Sequence, residues 1–71
     1  MDNATRIKRA RRTLAAYKDD AYGVVQAEFE PDPQAITDLV TDLLHLAKAM
    51  GIDPIWRVES AVGHYRTEVG A

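Results

Sequence analysis

PQAITDLVTDLLHLAKAM, residues 33–50, is the stretch whose reading decides the fold. Its apolar residues fall at Ile36, Leu39, Val40, Leu43, Leu46, Ala47 and Met50, the i, i+3, i+4, i+7 spacing of one helical face. At about 100° per residue they cover an arc of roughly 120°, wide enough for a stripe facing a core. Asp32 stands where an N-cap belongs. Pro33 takes the first helical position, where its missing N–H costs nothing. Gly51 follows Met50 and suits the left-handed stop of a helix, with Ile52 next to fold back on the last turn. Start, stripe and stop agree on one helix.

Working outward, a second Asp-Pro pair opens the C-terminal segment. Asp53 caps and Pro54 starts a helix over residues 54–69, with Ile55, Val58, Val62, Tyr65 and Val69 as its stripe and Ala61 at the edge. Gly63 either weakens this helix by about 1 kcal/mol or permits a neighbour to approach closely. Upstream, Ile7, Ala10, Leu14 and Tyr17 make a narrow seam that predicts a helix over residues 5–18, capped by Asn3 or Thr5 and extendable through Ala21 and Val24. Gly23 suggests a break. Val24, Val25 and Phe29 suit a short strand that has no visible partner, so residues 21–32 read as a helix end followed by an irregular link. Glu30-Pro31-Asp32-Pro33 punctuates it, because residues before proline avoid helical angles. The expected fold is all-α: one small three-helix domain over residues 1–71, its second and third helices forming an antiparallel hairpin.

Size and composition bound the function. A chain of 71 residues buries only about 60% of its unfolded surface, and it has no cysteine for a disulfide, a thiolate ligand or a thiol nucleophile. Oligomerisation is the common remaining support for so small a core, which makes a homodimer one expected state. The apolar fraction of 46% is that of a globular chain. No apolar run reaches the ~18 residues that span a bilayer, and no apolar signal-peptide core opens the chain. A cytoplasmic location with no membrane partner is the expectation. The net charge of −2 hides an asymmetry. Arg6, Lys8, Arg9, Arg11 and Arg12 hold five of the nine cations, whereas seven acidic residues and no Lys or Arg lie between Asp19 and Asp42.

Three groups of residues can carry chemistry. Asp38, Asp42 and His45 lie at i, i+4 and i+7 on the polar face of the second helix, and His64 and Glu68 at i and i+4 on the third, near Arg57. Carboxylate and imidazole suit zinc, iron or manganese, so Asp42, His45 and His64 form a candidate metal set. The same residues also read as a solvated face with helical i, i+4 pairs, and the spacing is not that of a metalloprotease helix. Lys8, Arg9 and Arg12 point away from the first helix's seam and make a candidate nucleic-acid surface, or a solvated face opposite the chain's acidic middle. Trp56 sits about 100° off the third helix's stripe. With Arg57 and His64 it forms a candidate partner-binding patch, because exposed tryptophans concentrate at interface hot spots; it also suits the rim of a small core. No nucleophile–base arrangement and no glycine-rich phosphate loop is present, and so small a chain has little room for a substrate pocket, so no enzymatic activity and no cofactor are expected.

Thr37-Asp38-Leu39-Val40-Thr41-Asp42-Leu43-Leu44-His45, then Gly51-Ile52-Asp53, then Ala61, His64 and Tyr65, carry a resemblance. Over residues 36–69, roughly half the chain, they resemble a widespread group of small uncharacterised proteins from bacteria, phages and other mobile elements. Pro54 departs from the aromatic that follows the aspartate in that group, and the link before Pro33 is atypical of it. The resemblance assigns no catalytic residue. It implies a mobile-element accessory context. Two functions follow as expectations: a non-enzymatic protein-interaction module, in this context a mobile-element accessory or inhibitor, or a nucleic-acid-binding accessory or regulator using the basic face of the first helix.

Overall fold

The computed structural model describes residues 2–25 and 30–70. It is all-α, with three helices and no strand among the described residues: α1 (Asn3–Tyr22), α2 (Pro33–Ala49) and α3 (Pro54–Glu68). The chain divides into two compact units, Met1–Val40 and Thr41–Ala71.

In the N-terminal unit α1 is longer than its periodicity alone predicts. It starts at Asn3, two residues before the predicted start, because Asp2 and not Asn3 or Thr5 is the cap: its carboxylate accepts from the Thr5 N–H at 2.7 Å. It continues past Asp19 and Asp20, which sit unfavourably at a helix C-terminus, because Gly23 supplies the stop. Gly23 adopts a φ of 72°, and its N–H and that of Val24 reach the Asp19 and Lys18 carbonyls. Tyr17 and Tyr22 meet edge to face across that last turn, with centroids 5.9 Å apart. Of the expected link, residues 21 and 22 belong to α1, and residues 26–29 lie outside the described residues.

α2 begins as its residues dictate. Asp32 Oδ1 accepts from the Ala35 N–H at 2.7 Å and Pro33 opens the first turn. Leu14 of α1 is 6% exposed and Ala35 of α2 fully buried, and these two are the buried apolar residues among the described part of the unit. Lys18 meets Asp32 near the start of α2, whereas Arg6, Arg9, Ala10 and Thr13 share a hollow with Leu39, further along it. The two segments therefore run antiparallel.

In the C-terminal unit the end of α2 and all of α3 form the antiparallel hairpin that the two Asp-Pro starts and Gly51 predict. Gly51 takes a φ of 76°, the Gly51 N–H bonds the Lys48 carbonyl at 3.1 Å, and the Ile52 N–H bonds the Ala47 carbonyl at 2.9 Å. Asp53 Oδ1 then accepts from the Ile55 and Trp56 N–H groups at 3.0 and 3.3 Å. A side chain at Gly51 would strain this turn whatever the space around it. Gly51→Ala is expected to destabilise the hairpin by about 1–2 kcal/mol, read as a lower denaturant midpoint with an unchanged slope.

The stripe of α2 does not form the expected core. Ile36, Val40, Leu43, Leu46 and Met50 are exposed, and only Leu39 and Ala47 are partly covered. The apolar periodicity identified a face correctly but not what lies against it. Among the described residues nothing lies within 4 Å of a methyl group placed at Gly63, so no close approach is seen there.

Candidate functional site

A polar latch lies in the N-terminal unit. Lys18 Nζ donates to Asp32 Oδ2 at 2.6 Å and to the Glu30 carbonyl at 2.7 Å, from a side chain only 10% accessible. The same Asp32 carboxylate caps α2, so one residue ties the end of α1 to the start of the next helix. Its carboxyl is held below the ordinary value of 3.8, first by the hydrogen bond from Lys18 and then by the Ala35 N–H. Lys18 was not among the candidate residues. The signal was available: it is the last cation before the cation-free stretch that begins at Asp19. The Asp38 carboxylate is likewise engaged, accepting from the Tyr22 hydroxyl and from Gln34 Nε2 at 2.8 Å.

Lys8, Arg9 and Arg12 are all exposed on α1, as the sequence reading places them. Arg9 also borders the shallow, open hollow formed with Arg6, Ala10, Thr13 and Leu39.

The metal set is not assembled. Among the described residues no three His, Cys, Asp or Glu side chains are placed to hold a metal ion, so Asp42, His45 and His64 do not converge. The hairpin register gives the reason. With the turn centred between Gly51 and Ile52, His45 lies level with about residue 58, which leaves His64 roughly 9 Å further along α3 at 1.5 Å per residue. Asp38 is committed to Tyr22 and Gln34 in the N-terminal unit.

The C-terminal unit presents an exposed apolar surface. Among its described residues none is buried. On α2 and the turn after it, Leu43, Leu46 and Met50 are 52–63% exposed, and on α3 and its C-cap, Ile55, Val62, Tyr65 and Val69 are 40–63% exposed. Trp56 is 54% exposed, and the Arg57 guanidinium lies over its ring, 4.6 Å from the centroid. That stacking holds a flat, amphipathic patch at the start of α3, with His64 exposed two turns along the same face as Arg57. The predicted partner-binding residues Trp56, Arg57 and His64 are thus all accessible on one helix. The exposed stripe itself, read from sequence as core, is the part of the surface that sequence reasoning did not assign to a site.

Comparison of the chain with models of protein families, with curated proteins and with solved structures finds no match. Fold and surface define the class by themselves: a small all-α chain whose C-terminal hairpin carries an uncovered apolar side. Among the described residues no helix is long and apolar enough to cross a membrane, so that side is not a bilayer span.

Proposed function

We infer that the chain is a non-enzymatic protein-interaction module that docks through the apolar side of its C-terminal hairpin, with Trp56, Arg57 and His64 at the margin. One observation carries this reading: the unit Thr41–Ala71 buries none of its described residues while exposing seven stripe residues and a tryptophan. A helical hairpin of 31 residues has a marginal core and gains stability by burying such a surface against a partner. So many exposed apolar residues on one short unit are characteristic of docking sites, and an aromatic stacked with arginine is typical of the residues that dominate them. The resemblance to small mobile-element proteins supports an accessory or inhibitor role in the cytoplasm. Affinity capture of the tagged chain from host lysate, with and without nuclease, tests the reading. A protein retained after nuclease treatment is the expected result, and a catch that vanishes with nuclease would remove the reading.

The exposed cations of α1 favour a second reading, a nucleic-acid-binding accessory. If Lys8, Arg9 and Arg12 each contact a phosphate, the log of affinity for duplex DNA falls with log salt at a slope of about −2.7, and Lys8→Ala with Arg12→Ala reduces that slope by about two-thirds. A gel shift that is absent, or indifferent to salt and to the double substitution, removes it.

A further inference from the structure

We propose that the occupant of the hairpin's apolar side is a second copy of this chain, packed about a two-fold axis that crosses α3 near Val62 and Gly63 with the two α3 helices antiparallel. This rests on the docking reading above and names its partner.

The spacing of the stripes is the first reason. On the hairpin's share of α2 and its C-terminal turn, Leu43, Leu46 and Met50 step by three and then four residues. Ile55, Val58, Val62, Tyr65 and Val69 do the same along α3. That alternation is the a/d pattern by which helices pack side by side at shallow angles around a four-helix core. Two heptads are too short for a free-standing coiled coil, but a hairpin contributes two such helices, and two hairpins contribute four.

Area is the second. A fully exposed large side chain presents about 200 Å², so the half-exposed apolar residues of the C-terminal unit offer roughly 800 Å². That is what each partner of a standard stable interface buries. A surface of this size need not recruit a larger partner to be covered.

Charge is the third, and it fixes the direction. Neither stripe contains a charged residue. Beside the α3 stripe, on the same edge, stand Glu59 and Arg66, both exposed, seven residues apart and opposite in sign. Their midpoint falls between Val62 and Gly63. An antiparallel two-fold axis there sets Glu59 of one copy against Arg66 of the other, and Arg66 against Glu59, so the edge is complementary to itself. A parallel pairing in register sets these two edges on opposite sides of the seam, so neither Glu59–Arg66 pair forms.

Sedimentation equilibrium of the full chain from about 1 to 200 μM tests this. The wild type is expected to approach twice the 7.9 kDa chain mass. Arg66→Glu places glutamate against glutamate twice per dimer and is expected to raise the dimer Kd about tenfold. Glu59→Arg combined with Arg66→Glu restores both pairs and is expected to return the Kd to within about twofold of wild type. Both positions are exposed, so unchanged circular dichroism is expected throughout. A chain that remains monomeric at 200 μM overturns the proposal, and so does a dimer indifferent to Arg66→Glu. A monomer that still captures a different protein through Leu46 overturns the self-partner alone. A monomer that captures nothing overturns the docking reading with it.

Discussion

Leu46→Asp is expected to leave the chain helical while weakening its binding to a protein partner at least 100-fold. Leu46 is 54% exposed, so a carboxylate there stays in water in the free chain. The loss of leucine's helix propensity and of partial contacts amounts to about 0.5–1 kcal/mol. Docking changes the balance, because the same carboxylate is then buried without a partner, at several kcal/mol. Leu14→Asp is the control. It makes the same chemical change at a site only 6% exposed in the N-terminal unit, and it is expected to abolish the cooperative unfolding transition. The comparison is made by circular dichroism at low micromolar concentration, since any partner adds stability by mass action. If Leu46→Asp unfolded the chain as Leu14→Asp does, Leu46 would belong to the chain's own core and the exposed side would not be a docking surface.

Lys18→Met is expected to lower the thermal midpoint by on the order of 10 °C. Methionine fills a similar volume but leaves the Glu30 carbonyl and the Asp32 carboxylate without their shared donor. Asp32 is 42% exposed, so water takes over part of that role, and the loss stays well below that of a fully buried pair. The pH dependence carries the same signature. Because the folded Asp32 carboxyl lies below its ordinary value of 3.8, the folded state binds fewer protons than the unfolded state in that range. Its contribution is therefore present above the ordinary value and is lost as pH falls through the lowered one. Denaturant midpoints measured from about pH 5 down to pH 2 are expected to fall in the wild type, and to fall less in Lys18→Met and Asp32→Asn. An acid limb identical in all three would show that the latch does not couple α1 to α2.

Local chemistry explains which parts of the fold were legible in the sequence. Asp32-Pro33 and Asp53-Pro54 start helices because a carboxylate and a proline satisfy an N-terminus without tertiary help. Gly51 ends α2 because it alone among its neighbours accepts a positive φ. The C-terminus of α1 was harder to place, since Asp19 and Asp20 argue against continuing a helix that Gly23 nonetheless terminates later. The Lys18 latch depends on the chain returning to Asp32 fourteen residues on, which periodicity does not encode. For the candidate site, the sequence marked Trp56 through its position off the stripe, but it assigned Leu43, Leu46 and Met50 to a core. A three-and-four spacing specifies that a face will be buried; it is silent on whether the burial is within the chain or between chains. Among the described residues Asp42, His45 and His64 are not grouped to hold a metal ion, because helical spacing fixes a face but not the level at which two helices meet.

The most direct test of the docking surface is quantitative capture with two baits, wild type and Leu46→Asp, from the same nuclease-treated lysate supplied with a differently tagged copy of the chain. The expected result is a protein retained by the wild-type bait and lost from the Leu46→Asp bait, with the second copy foremost. Equal recovery on both baits, or no protein on either, would contradict a docking role for the hairpin's apolar side.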